Sequence, residues 1–220
     1  FSYIKSLFNI GLKFFIIQIM SIVIFSTDNM IITQLLGPKY VTEYQIAYKL
    51  LSIYVMLSSL IMTPLWSAYT DAYIKNDYIW IKKTLKNLIL LMIPFMLCIV
   101  ITIAFADIII RIWMGDNFII PRSLLIMIGI YVILTIWSNI FAYLLNGINK
   151  TNIQLISLIT GGILNIPLSI YFARDLNLGN IGVVLGTICA QIIFAIAGPI
   201  QVYYEFYSKK SKTKIIFKEK

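Results

Sequence analysis

Six apolar segments, each at least 20 residues long, limit the possible folds of this chain more than any other feature of its sequence. They cover residues 7–36, 41–68, 85–110, 123–145, 152–172 and 181–204. A helix needs about 20 apolar residues to cross the roughly 30 Å hydrocarbon layer of a bilayer, so each segment is long enough to span a membrane. We therefore predict an all-α integral membrane protein: a bundle of six transmembrane helices within residues 1–208, followed by a basic tail at residues 209–220.

The composition agrees with a membrane protein and argues against catalysis. Hydrophobic residues make up 60% of the chain and charged residues 12%, and there is no histidine; a soluble domain is about half apolar and a quarter charged. Cys98 and Cys189 both lie in apolar runs, which argues against a disulfide framework or a thiolate metal site. Paired carboxylates, a nucleophile with its base, and a glycine-rich phosphate loop are all missing from the sequence. We expect no enzyme activity, no cofactor and no bound metal.

The distribution of positive charge orients the predicted bundle. One set of loops and ends holds Lys5, Lys13, Lys75, Lys82, Lys83, Lys86, Lys150 and the lysines of the tail, whereas the alternate set holds Lys39, Arg111, Arg122 and Arg174. Short cytoplasmic loops carry an excess of Lys and Arg, so we expect both ends of the chain in the cytoplasm and the tail in contact with anionic membrane lipids. Because the net charge of +9 is placed in this way, we do not expect a nucleic-acid partner.

The segment 71–87 joins the second and third spans and mixes aromatic residues with lysines. Side chains of these two kinds prefer the headgroup layer, which predicts a short helix lying along the membrane surface, capped by Asp77. The alternative is an ordinary solvated loop.

Polar residues of the second span fall on one side of a helical projection. They are Gln45, Tyr48, Lys49, Ser52, Ser59, Thr63, Ser67 and Thr70. A polar stripe of this height cannot face lipid, because polar groups in hydrocarbon need partners. Packing against another polar helix is one reading, but Lys49 favours a water-filled cavity.

The first span has a matching face that includes Lys13 and Asp28. Asp28 has two readings: it neutralises Lys49 on the neighbouring helix, or it is an ion or proton site, since carboxylates inside membranes commonly serve relays. The candidate cavity residues are Lys13, Asp28, Gln45, Tyr48, Lys49, Ser52, Ser59, Thr63 and Asn139.

The later spans show weaker patterns. The fourth places Tyr131, Thr135, Ser138, Asn139 and Asn146 on one side, and the fifth aligns Gln154, Ser157, Gly161 and Asn165. In the sixth span, Gly182, Gly186 and Ala190 form a ridge of small residues that predicts close helix packing. The third span has hardly any polar stripe and is expected to face lipid.

Several stretches of the sequence carry a family resemblance. They are "GLKFFIIQIMSIVIFSTDNMIITQLLGPKYVTEYQIAYKL", "PLWSAYTDAYIKNDYIWIKK", "NGINKTNIQLISLITGGILNIPLSIYF" and "NLGNIGVVLGTICAQII". In this order they resemble the second half of bacterial polysaccharide flippases, the O-antigen or capsule repeat-unit translocases of the multidrug/oligosaccharidyl-lipid/polysaccharide exporter superfamily. The motifs do not indicate which sugar is moved.

The resemblance implies a transporter of twelve spans in two bundles around a central cavity, working by alternating access. This chain would be the second bundle, and its partner would be an N-terminal bundle of the same protein, which agrees with a start at Phe1 rather than Met. The implied substrate is an oligosaccharide on undecaprenyl diphosphate, moved across the inner membrane for lipopolysaccharide or capsule synthesis, with Lys13 and Lys49 as cations for the diphosphate.

Two other functions stay open at this point. A drug/cation antiporter of the same superfamily would also have six helices per half, but its cavity should be more acidic and more apolar. A non-transporting scaffold subunit of a polysaccharide assembly complex would explain the helices but not the polar stripe.

Overall fold

The computed structural model describes residues 2–115 and 118–208, and within these ranges the chain folds into helices without a strand. The helices are α1 (Ser2–Leu35), α2 (Pro38–Ile74), α3 (Tyr78–Ala104), α4 (Ala106–Met114), α5 (Arg122–Gly147), α6 (Asn152–Ile170) and α7 (Asn180–Tyr203). Two π-helical turns, Tyr171–Asp175 and Tyr204–Ser208, extend α6 and α7. The predicted tail at residues 209–220 lies outside the described residues.

Helices α2, α3, α5, α6 and α7 have the length and composition of membrane spans. Five stretches qualify on both counts among the described residues: Pro38–Ile74, Tyr78–Ala104, Arg122–Gly147, Asn152–Asp175 and Asn180–Tyr207. The 34 residues of α1 reach about 51 Å at 1.5 Å per residue, and they contain a shorter apolar stretch, Gly11–Met20. The prediction of an all-α membrane bundle is confirmed.

The interior of the bundle is organised around α5 and α7. Helix α5 packs against α2, α3 and α7, while α6 packs against α7 and α1. The contact between α6 and α7 is close because small residues line it: a Cβ atom added at Gly182 would lie 2.4 Å from the Ala173 backbone nitrogen, and one added at Gly161 would lie 2.8 Å from the Ala190 carbonyl oxygen. The predicted packing ridge of the sixth span is thus confirmed.

The third predicted span is interrupted at Phe105. Helix α3 ends at Ala104 and the short helix α4 begins at Ala106, so the expected segment 85–110 forms two helices. The guanidinium group of Arg122 donates a hydrogen bond to the Ala104 carbonyl oxygen (3.2 Å), which satisfies one carbonyl group at the end of α3. Asp107 lies in the first turn of α4, where a negative charge interacts favourably with the helix dipole.

The prediction of a surface helix in the segment 71–87 is wrong. Helix α2 continues to Ile74, and after a turn α3 begins at Tyr78, so the segment belongs to the ends of two long helices. Asn76 adopts a left-handed conformation in this turn (φ 58°), which asparagine tolerates better than most residues. The Asp77 carboxylate accepts a hydrogen bond from the Trp80 backbone N–H (3.0 Å), so the predicted helix cap is confirmed.

Candidate functional site

A cavity of about 240 Å³ lies between α1, α5, α6 and α7. Its polar lining consists of Tyr131, Thr135, Ser138, Asn139, Gln154, Ser157, Thr187 and Gln191. Apolar side chains, among them Ile17, Ile24 and Phe194, complete the wall. The lining residues therefore offer hydroxyl and amide groups and carry no charge.

Helical periodicity explains why these residues share one cavity. On α5 the lining residues recur at spacings of three and four, from Tyr131 through Thr135 and Ser138, and on α7 they recur from Thr187 to Gln191. Residues at these spacings lie on one face of a helix. The polar sides predicted for the fourth and fifth spans thus face the cavity, except for Asn146 and Asn165 at their ends, although their polar patterns are weaker than the stripe of the second span.

Two buried polar atoms on the cavity wall have no hydrogen-bond partner among the described residues. They are the hydroxyl oxygen of Ser138 and the amide oxygen of Gln154, on side chains that are 6% and 7% exposed. Across the cavity, the Gln191 amide donates to the Thr135 hydroxyl (3.0 Å). Unpaired buried polar atoms are rare because each costs about 1–3 kcal/mol. A guest that forms hydrogen bonds would satisfy them.

Asp28 lies directly behind this wall and is 2% exposed. Its carboxylate accepts a hydrogen bond from the Thr187 hydroxyl (2.8 Å) and a longer one from the Asn165 amide (3.5 Å), and the Tyr44 hydroxyl also interacts with it. Because Thr187 both bonds to the carboxylate and lines the cavity, one side chain separates Asp28 from the cavity space.

Of the two interpretations of Asp28, the pairing with Lys49 is wrong. No ion pair joins them among the described residues, and Lys49 is exposed. Tyr44, which interacts with Asp28, is separated from Lys49 by five residues, or about 140° around α2. Asp28 therefore points into the bundle toward α6 and α7, whereas Lys49 points out of it.

The predicted residues of α2 have local partners. Gln45 donates to the Asn29 side chain (2.6 Å), and Tyr48 stacks on Tyr44 with 6.1 Å between ring centroids. Three hydroxyl groups of the stripe donate to backbone carbonyl oxygens of their own helix: Ser52 to Lys49 (3.3 Å), Ser59 to Val55 (2.9 Å) and Thr63 to Ser59 (2.7 Å). None of these α2 residues lines the cavity.

Two of the remaining candidates lie close to the cavity or to its helices. Asn139 lines it, and the Lys13 ammonium group donates to the Asn152 side chain at the start of α6 (2.7 Å). Contact between any of the nine candidate residues and a substrate stays a prediction.

Of the polar lining residues, only Asn139 was among the nine candidates. The other polar lining residues of α5 and α6 were predicted to share polar sides of their helices but were not chosen as candidates, whereas Thr187 and Gln191 of α7 were not predicted at all. They are four residues apart in the sixth span, a spacing that places both on one helix face. That pattern was present in the sequence, but the ridge of small residues in the same helix suggested packing alone.

Comparisons with known proteins agree with this architecture. Residues 14–171 match the sequence model of the MatE family. The "Putative O-antigen transporter" of Salmonella typhimurium is 26% identical over 177 residues, which are 80% of this chain and 41% of that protein. A solved structure, described as the outward-facing conformation of a multidrug resistance MATE family transporter of the MOP superfamily, matches with a TM-score of 0.75 at 19% identity. The match covers 91% of this chain and 46% of that one, so this chain spans less than half the length of either protein.

Proposed function

Because the chain belongs to the MatE family of membrane transporters, we propose that it forms one bundle of a flippase for lipid-linked oligosaccharides. The substrate in this proposal is an oligosaccharide on undecaprenyl diphosphate, moved across the bacterial inner membrane for surface polysaccharide synthesis. A second bundle, supplied by an N-terminal half of the same protein, would complete the transport path, and the lysine-rich loops would lie on the cytoplasmic side.

The observation that carries this proposal is the uncharged polar lining of the cavity. Its amide and hydroxyl groups, with unpaired atoms on Ser138 and Gln154, suit the hydroxyl groups of a sugar, which both donate and accept hydrogen bonds. The similarity to an O-antigen transporter supports the same substrate class. Lys49, exposed on α2, is available to the diphosphate as a point charge.

A drug/cation antiporter is the second candidate function. Asp28 and the similarity in fold to a multidrug transporter favour it, because a buried carboxylate attracts cations. Against it, Asp28 is engaged by Thr187 and Asn165, and the cavity wall in front of it carries no negative charge.

In either function, we assign Asp28 to coupling. A buried carboxyl group without a cationic partner is stable either with a bound proton or with a bound cation. Gain or loss of that charge would change the hydrogen bonds of Thr187 and Asn165, which connect α1 to α6 and α7. Asp28 would in this way link an ion gradient to movement of these helices.

We expect the substitution Gln154→Leu in the full-length protein to lower glycan export about tenfold. Loss of one hydrogen bond of about 1–1.5 kcal/mol corresponds to about that factor. Folding should be unchanged or slightly more stable, because an unpaired buried amide oxygen is removed. The measurement is surface polysaccharide in cells lacking the native transporter, normalised to the amount of folded protein.

The matched control is Thr160→Val on the same helix. Thr160 is exposed, bonds to the carbonyl oxygens of Ile156 and Ser157, and does not line the cavity. Its export should equal that of the unchanged protein. Normal export by Gln154→Leu would contradict the assignment of the cavity to the substrate.

A further inference from the structure

Three lysines near the start of α3 form a positive cluster, which we call the α3 lysine cluster: Lys82, Lys83 and Lys86. None has an ion-pair partner among the described residues. The acidic groups at this end of the bundle have other partners: Asp71 pairs with Lys75 (2.7 Å), Glu205 pairs with Lys150, and the Asp77 carboxylate caps α3 through the Trp80 backbone N–H (3.0 Å). The cluster therefore carries an unneutralised positive charge.

The α3 lysine cluster lies at one end of an exposed apolar stripe on α3. Leu90, Ile93 and Leu97 follow Lys86 at spacings of four, seven and eleven residues, so all four lie on one face of α3. Each of the three apolar side chains is more than half exposed. In a helix that crosses the membrane, such a face contacts acyl chains, which places the lysine at the level of the lipid headgroups.

A second exposed apolar stripe, on α7, ends beside the same cluster. Ile196 and Ile200 on α7 are exposed, and they lead to Tyr203 and Tyr207, whose stacked rings have centroids 5.5 Å apart. The Lys82 ammonium group lies 4.0 Å from the centroid of the Tyr207 ring. Helices α3 and α7 both pack against α5, so this cation–π contact joins the ends of two apolar stripes that flank one helix.

We propose that the α3 lysine cluster and the tyrosine pair form a binding site for an anionic phospholipid of the adjoining leaflet. The phosphate group would lie against Lys83 and Lys86, the acyl chains along Leu90, Ile93 and Leu97, and the glycerol region beside the tyrosines. Lysines near the membrane surface attract anionic headgroups, and tyrosines favour the membrane interface. This site is independent of the substrate cavity and of the proposed function.

The placement favours a membrane lipid over the diphosphate of a transport substrate. The cavity between α1, α5, α6 and α7 includes no residue of α3. A phosphate group bound to the cluster would have its acyl chains on the outer surface of the bundle, where the bulk lipid is.

The test measures how anionic lipid stabilises the purified full-length protein in detergent. Phosphatidylglycerol should raise the thermal unfolding midpoint of the unchanged protein more than phosphatidylcholine does. The double variant K83Q/K86Q should lose more than half of that difference. The control K39Q/K75Q removes the same number of positive charges outside the site and should keep the full difference between the two lipids.

Two further measurements distinguish a loss of lipid binding from an effect on folding alone. Native mass spectrometry should show K83Q/K86Q retaining one anionic lipid fewer than the control, whatever its midpoint without lipid. Equal stabilisation and equal lipid retention in the two double variants would overturn the proposal. Stabilisation of the unchanged protein by inorganic diphosphate that matches the lipid effect and disappears in K83Q/K86Q would also overturn it, because the site would then recognise a diphosphate group.

Discussion

We expect Gly186→Ala to unfold a large fraction of the full-length protein. A Cβ atom at this position would lie 2.2 Å from the Ser169 hydroxyl oxygen and 2.6 Å from the Ser169 backbone nitrogen. Since a backbone atom cannot rotate away, α6 and α7 would have to separate. Overpacking of this kind costs about 1–3 kcal/mol, and we place this substitution at the upper end. Fluorescence-detected size-exclusion chromatography after a temperature series measures the loss.

Gly11→Ala provides the matched control for Gly186→Ala. The chemical change is the same and also lies within a helix, but a Cβ atom at Gly11 meets no atom of the bundle within 4 Å. Alanine favours helix by up to about 1 kcal/mol over glycine, so the control should be neutral or more stable. Equal behaviour of the two variants would contradict the close contact between α6 and α7.

We expect Asp28→Asn to leave the protein folded and to abolish the response of transport to an imposed ion gradient. Asparagine has nearly the same shape and keeps one acceptor for the Thr187 hydroxyl, which bonds to the carboxylate at 2.8 Å. It cannot gain or lose a proton or balance the charge of a cation. Transport should be followed in vesicles with a pH gradient and, separately, with a sodium gradient, which tells the two coupling ions apart.

Asp107→Asn is the control for the removal of a carboxylate. Asp107 is exposed in the first turn of α4 and does not line the cavity, so this variant should keep its response to both gradients. Folded Asp28→Asn protein that still responds normally to the gradients would remove Asp28 from coupling. Loss of folded protein would instead assign Asp28 a structural role, and Asp28→Glu would then be expected to fail as well.

The membrane spans were predictable because their evidence is local. Length and apolar composition identify a spanning helix without knowledge of its neighbours, and this was sufficient for α2, α5, α6 and α7. The ridge of Gly182 and Gly186 was also predictable, because small residues at a spacing of four indicate close packing. The break at Phe105 was not predictable, because the carbonyl group at the end of α3 is bound by Arg122, which belongs to another helix.

The location of the cavity could not be predicted because a helical projection identifies a face but not what the face contacts. The stripe of α2 was the strongest polar pattern, yet the hydroxyl groups of Ser59 and Thr63 bond to carbonyl oxygens of their own helix, and that of Thr70 bonds to the Gly147 carbonyl oxygen of α5. The polar faces of α5 and α6 show weaker patterns in the sequence, but they meet α7, and the cavity is enclosed where these helices come together. In the same way, Asp28 and Lys49 belong to neighbouring helices but point in different directions, which projections of separate helices cannot show.

The most direct measurement of the central claim is translocation by the purified full-length protein in proteoliposomes. A fluorescent oligosaccharide on undecaprenyl diphosphate is placed in both leaflets, and its accessibility to a membrane-impermeant glycosidase is followed over time. We predict that the protein exposes nearly all of the glycan to the enzyme and that it does not move a cationic dye under the same gradient. Transport of the dye, with half of the glycan still protected, would contradict the account.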